Sequence, residues 1–341
     1  MKRTALILLG PALILLAFTA LPFSPAQNAA IGTAAWMVAW WSTQVLPIGV
    51  TSLLPLILFP AFGVVEIGDT ALNYAHPVIF LFLGGFVLGL AIEKWDIHKR
   101  LALNILRVSG ERPTQVIAGF MAATAFLSMW ISNTAAAVMM LPIGISVIGL
   151  LEGQFSDKGL KNRFAVSLLL GLAFAANIGG TATIIGTPPN LVLAGILSEE
   201  VGYEIGFGQW IIFALPFAAV LFLVVLFVNT RLLFRVPSFT MYGMRHMVTE
   251  RLKTMGNMSA GEKRVAVVFG STALLWVARA PLAELPGLDF LSDPLIGMAG
   301  AVTMFVVTDP RKKPLMTWKD MKRMPWDILL LFGGGLSIAA G

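Results

Sequence analysis

The chain contains no cysteine. That excludes a disulfide framework and any thiolate metal site. It is also short of charge. Asp, Glu, Lys and Arg make up 12% of its 341 residues, where about a quarter is usual for a soluble domain. Hydrophobic residues reach 57%. So little charge cannot wet the surface of a soluble globule of this size, and the same numbers exclude disorder. A further shortage is local: no lysine or arginine stands in the middle of a long apolar run. An anion held there would depend on helix ends, amides, hydroxyls and co-bound cations. That favours cation coupling over an anion pore built from Arg or Lys rings, and it argues against a relay of buried carboxylates. His76, His98 and His246 lie at the edges of the runs without metal-ligand spacing. No nucleophile–base pair, His-Glu metal motif or carboxylate dyad is visible, so no enzyme is expected.

Apolar runs long enough to cross roughly 30 Å of hydrocarbon recur along the chain. They cover 4–20, 30–44, 45–62, 77–93, 114–150, 165–197, 207–230, 264–280, 291–308 and 326–341. The expected fold is an all-α polytopic membrane protein lodged in a lipid bilayer. The 33 glycines and 19 prolines suit membrane helices. Residues 30–62 are interrupted at Thr43, Gln44 and Pro47 and read as two short helices. If the spans alternate and 114–150 returns to its own side, 23 of the 24 basic residues fall on one face, and only Arg279 falls on the other. This is the positive-inside pattern, which makes the basic face and the N-terminus cytoplasmic. It also explains the net charge of +6 without a nucleic-acid partner. Lys2-Arg3, an apolar core and Ser24-Pro25-Ala26 also fit a cleaved signal peptide, but a retained first helix is the preferred reading. Residues 96–109 place Ile97, Leu101, Ile105 and Val108 on one stripe, as in a helix lying in the interface; an ordinary helical loop is the plain alternative.

Two runs are broken. Residues 114–150 would make a helix of about 55 Å, too long for one crossing and tight for two, with basic flanks at both ends. Ser132-Asn133-Thr134 stands in the middle, so a re-entrant hairpin with this tip is expected. Irregular backbone at that depth is tolerated only where it lines a cavity. Residues 165–197 are interrupted by Gly179-Gly180 and by Gly186-Thr187-Pro188-Pro189-Asn190, so this span should be discontinuous, unwound near Gly186–Pro188. A helix that ends in mid-membrane leaves carbonyls that suit a hard cation. One that starts there leaves N–H groups that suit a carboxylate. Transporters place substrate and coupling ion at such ends. Ser128 and Ser132, four residues apart, share one face of the first arm and with Asn133 add side-chain oxygens. Thr134 and Thr187 offer hydroxyls beside the helix starts. The plain alternative is that such hydroxyls only bond their own backbone and that the glycines, including Gly84, Gly85 and Gly89, only allow close packing.

Residues 79–91 (IFLFLGGFVLGLA) resemble 328–340 (ILLLFGGGLSIAA), and the charge map runs them in opposite directions. That points to an inverted-topology repeat. The second equivalent of Ser-Asn-Thr would fall near about position 382, so a truncated or partial sequence is expected.

At WWSTQVLPIGVTSLLPLILFP (41–60), IFLFLGGFVLGLAIEKWDIHKRLAL (79–103), FLSMWISNTAAAVMMLPI (126–143) and NIGGTATIIGTPPN (177–190), the chain resembles the divalent anion:sodium symporter family of dicarboxylate, citrate and sulfate carriers. The resemblance spans essentially the whole chain, and the last two motifs are the specific ones. It implies sodium ligands at Ser128, Ser132, Asn133 and Gly186, and carboxylate contacts at Asn133, Thr134, Thr187 and Pro188. It also implies a homodimer with an elevator-like transport domain, in the inner or plasma membrane. Gln44 stands where the family commonly has Glu.

The expected organisation is N-terminal scaffold helices at 1–76, a first repeat core at 77–235, a cytoplasmic loop at 236–263 and the start of a second repeat at 264–341. The expected function is sodium-coupled symport of a small dicarboxylate such as succinate, malate or fumarate. A sodium-independent exchanger, a citrate or sulfate carrier on the same scaffold, and a non-transporting fragment are the rivals.

Overall fold

The computed structural model describes residues 2–150, 158–236 and 239–341. Among them the regular structure is helical. The one β feature is an isolated bridge between Thr308 and Pro314. The chain is an all-α, multi-pass membrane protein. Its lipid-facing surface shows why. The helix Phe207–Phe227 buries only Phe207, Trp210, Ala214 and Ala218, while Ile212, Phe217, Val220, Leu223 and Phe227 are exposed. A water-soluble monomer rarely carries an apolar surface so extensive.

The first two helices, α1 (Lys2–Ala20) and α2 (Pro25–Thr43), form an antiparallel pair, with Trp40 Nε1 donating to Leu6 O at 3.1 Å. Ser24-Pro25, also legible as part of a cleavage site, caps α2. The Ser24 hydroxyl accepts from Gln27 N, and the Gln27 side chain accepts from Ser24 N, a reciprocal capping box. Residues 30–62 form three helices rather than two. Gln44, at φ +49°, ends α2, and α3 (Ile48–Thr51) and α4 (Leu54–Ala61) follow. A short α5 (Ile67–Leu72) leads to α6 (Pro77–Lys94).

Helix α7 (Ile97–Val108) is the expected amphipathic element, with a correction to its faces. Ile97, His98, Ala102, Leu103 and Leu106 are buried in the protein and Ile105 packs partly against the core, so of the read stripe only Leu101 and Val108 are exposed. The read stripe is therefore divided, with Leu101 and Val108 turned outward and Ile97 and Ile105 turned toward the core.

Next come α8 (Pro113–Ser128) and α9 (Asn133–Leu150), then α10 (Lys158–Thr181), α11 (Pro188–Val201) and α12 (Phe207–Phe227). Helix α12 runs into a π-helical turn at Val228–Leu233. The stretch read as a loop at 236–263 contains α13 (Met244–Met255). Met244 and Val248 are buried on a stripe that Leu252 and Met255 extend against the α7–α10 core. Its polar remainder hid this apolar stripe. The chain closes with α14 (Ala260–Ala283), α15 (Asp293–Val306) and α16 (Trp326–Ala340).

Segments assigned to the basic face do meet at one end. Lys94 pairs with Asp320 at 2.8 Å, and Arg323 with Glu93 at 2.6 Å. Arg100 reaches Glu262 and the Gly256 carbonyl, and Arg251 reaches Ser146. Arg279 instead pairs with Asp293, whose other oxygen accepts from Phe207 N at 2.7 Å. The two copies of the repeated motif run antiparallel. The end of α6 lies beside the residues that precede α16, and the Phe82 and Phe332 rings meet at 4.9 Å. Gly84 permits α15 to approach closely: a Cβ there would lie 2.5 Å from the Gly297 carbonyl carbon.

Candidate functional site

The hairpin forms, but its turn lies at Met129–Ser132, so of the tip read at Ser132-Asn133-Thr134 only Ser132 is in the turn and the other two open α9. Pro113 starts α8 at its first helical position, and α8 ends at Ser128. A four-residue turn carries the chain into α9 at Asn133. In that turn Trp130 N and Ile131 N both donate to Leu127 O. Ser132 caps α9: its hydroxyl accepts from Ala135 N at 3.2 Å and its carbonyl from Ala136 N at 2.9 Å. Among the described residues, the N–H groups of Asn133 and Thr134 have no acceptor. They are the free donors of a helix start.

The discontinuous span also forms. Helix α10 stops at Thr181 and α11 begins at Pro188, with irregular backbone between. The N–H groups expected at the start of α11 are largely missing, because its first two residues, Pro188 and Pro189, have none. The third, Asn190 N, donates to Thr187 O at 3.2 Å. Helix α11 therefore offers a carboxylate its dipole and the Thr187 hydroxyl, which makes no capping bond, rather than a fan of amides.

The two breaks are joined. Ser128, fully buried, donates its hydroxyl proton to Asn133 Oδ1 at 2.8 Å. Asn133 Nδ2 donates to Asn177 Oδ1 at 3.1 Å. Thr183 Oγ1 donates to Met129 O at 2.5 Å. Asn190, buried, donates to both Gly180 O (2.9 Å) and Thr183 O (2.8 Å). Close backbone contact needs the glycines. A Cβ on Gly179 would lie 2.0 Å from Ala125 O, and one on Gly180 would lie 2.3 Å from Asn133 Oδ1.

Of the residues read for sodium, Ser128 and Asn133 bond directly, and buried Gly186 packs on Gly180, which touches Asn133. Ser132 is exposed and its hydroxyl serves its own helix start; it borders a separate cavity beside α6. Of those read for carboxylate, Asn133, Thr187 and Pro188 are half-buried and Thr134 is exposed. Asn177 and Thr183 escaped the reading, and Gly180 and Asn190 entered it only as interruptions of the span, not as site residues. All four lie in the NIGGTATIIGTPPN motif, and the signal was there: amides and a hydroxyl in an otherwise apolar run. Several carbonyls that a broken helix should leave open are occupied, those of Met129, Gly180, Thr181 and Thr183 among them. What remains is a neutral set of hydroxyl, amide and carbonyl oxygens. Among the described residues no three His, Asp or Glu side chains come together. Neutral oxygens fit a hard cation.

The sequence pattern of the citrate transporter family matches residues 36–341. The sodium-dependent dicarboxylate transporter SdcS of Staphylococcus saprophyticus is 37% identical over 98% of this chain. SdcS of Staphylococcus aureus strain USA300 is 34% identical over the same share. The chain spans 66% of the length of each of these relatives.

Proposed function

Because the chain belongs to the citrate transporter family, we propose that it is a sodium-coupled carrier of small dicarboxylates such as succinate, malate or fumarate. The observation that carries this reading is Asn133. It stands at the start of α9, accepts from Ser128 and donates to Asn177, so one amide touches both broken elements. The names of the two staphylococcal relatives support the same cargo.

Sodium enters first, held by oxygens of Ser128, Ser132, Asn133 and the Gly186 backbone. Its charge offsets that of the dianion in a site without lysine or arginine. A carboxylate then meets the free Asn133 and Thr134 N–H groups, the Thr134 and Thr187 hydroxyls and the start of α11 at Pro188. The carrier acts as a homodimer in the inner or plasma membrane, N-terminus cytoplasmic, by elevator motion of the hairpin-bearing core against the N-terminal helices. It catalyses no covalent step.

The test is Asn133→Ala. It should abolish sodium-dependent uptake of labelled succinate. Uptake unchanged at saturating sodium would reject the assignment. The family's description favours a second reading, citrate as the cargo. Competition among succinate, citrate and sulfate separates the two, and a sodium titration separates symport from exchange.

A further inference from the structure

Ser132 borders a cavity that the reading above leaves unused. It measures about 230 Å³ and lies between α6, the hairpin tip and the chain entering α16. Trp130, Ser132 and Ala135 form the tip wall, Glu93 the α6 wall and Arg323 the third. Arg323 Nη2 donates to Glu93 Oε2 at 2.6 Å. The pair is lopsided: the Glu93 side chain is 10% exposed, that of Arg323 60%.

Two consequences follow. The Glu93 carboxylate, which would repel an anion, is compensated in the wall. The guanidinium keeps most of its five donors, in the planar fork that suits a carboxylate. The neighbouring charges do not cancel it. Between residues 319 and 323 stand Lys319, Lys322 and Arg323 against Asp320 alone, and Asp320 is already paired with Lys94. That excess disfavours a cation at Glu93. With its cation 60% exposed, the pair is screened on the Arg323 side and contributes less as a mere latch than a fully buried one would.

We propose that Arg323 is a docking residue for small dicarboxylate anions, holding one carboxylate in the cavity between the basic face and the hairpin tip. The choice of ligand rests on the dicarboxylate reading above. An anion waiting here lies beside Ser132, one residue from Asn133, so docking and binding share a wall.

The absence of cysteine makes a direct test possible. Ala135→Cys puts a single thiol in the cavity wall. Its labelling rates in detergent micelles are compared for an anionic sulfonatoethyl and a cationic trimethylammonioethyl methanethiosulfonate. With Arg323 present the anionic reagent is favoured. Adding Arg323→Gln should lower the anion-to-cation rate ratio about tenfold, the low end of what a charged cleft achieves. Arg323→Lys should keep most of the preference, and Glu93→Gln should raise it. Succinate should slow the labelling only when residue 323 is cationic. A ratio unchanged by Arg323→Gln overturns the proposal, as does a ratio that falls alike in Arg323→Gln and Glu93→Gln, which marks a latch. If Arg323→Gln leaves the ratio unchanged while sodium-dependent succinate binding persists, docking fails and the carrier reading stands. Arg323-dependent selectivity without any succinate effect overturns dicarboxylate docking here, while the carrier reading is decided separately by sodium-dependent succinate binding.

Discussion

Asn133 and Asn177 meet amide to amide, Nδ2 to Oδ1 at 3.1 Å, joining the first residue of α9 to the last full turn of α10. The bond orients the Asn133 amide so that its oxygen faces Ser128 and its nitrogen faces α10. Asn177 is in turn fixed by its own donation to Ala173 O at 3.2 Å.

Removing that orientation should weaken cation binding without unfolding the protein. A single hydrogen bond contributes about 0.5–1.5 kcal/mol, equivalent to a loss of about two- to tenfold in affinity. Asn177→Ala is therefore expected to raise the sodium concentration for half-maximal succinate binding by about that factor, with the thermal midpoint little changed. A titration that overlays the parent curve removes Asn177 from the site.

A second expectation concerns the far end of the molecule. Asp293 is 7% exposed, and Arg279 Nε lies 2.9 Å from its Oδ1, as an ion pair rather than an aligned hydrogen bond. Trp276 donates to the Asp293 carbonyl at 2.9 Å, so the same residue ties α14 to α15. Arg279→Met leaves the carboxylate without its cation. Because Arg279 is itself partly exposed, the loss should fall at the low end for broken buried pairs, about 3 kcal/mol. Asp293→Asn in the same background should recover most of it. Thermal unfolding in micelles measures both, and equal loss in the single and double variants would contradict the account.

Stability should also depend on pH through His98. Burial holds its imidazole below the ordinary histidine value, although the Ile92 carbonyl and Asp96 act in the other direction. The folded state therefore favours the neutral ring. As the pH falls through about 6.5, the unfolded chain takes up this proton first. The stabilisation is complete above that value and is lost as the pH falls from there toward the lowered folded one. His98→Gln should flatten the dependence of the thermal midpoint between pH 8 and 5. A slope that survives the substitution assigns the effect to other groups.

The hairpin was legible because a mainly apolar run of 37 residues with basic flanks at both ends allows few alternatives, and Ser132-Asn133 was the polar interruption available for a tip. The break between α10 and α11 was equally plain from Pro-Pro, whereas Gly179 and Gly180, also read as an interruption, lie inside α10. Less legible was what the exposed backbone would do. The pattern of residues shows that a helix must stop; it does not show that Thr183 reaches across 54 positions to claim Met129 O, or that Asn190 turns back to Gly180. Those bonds depend on how close two helices come, and Gly179 and Gly180 set that distance. Helix α13 was hidden for another reason: its buried stripe of methionine, valine and leucine is embedded in basic residues, and charge masked the period.

The two prolines at the start of α11 have a lasting effect on the span. Pro188 cannot donate to Ile184 O, and its ring keeps Thr187 out of helical geometry, at φ −146°. Annealing α10 and α11 into one rod would cost about 3 kcal/mol or more at the prolines, through the lost N–H donors and ring clashes, so the covalent chain itself favours the break. The opening in the span is a property of the covalent chain, so ligand binding need not melt a helix to create it. The backbone cost of making the gap is met once, at folding.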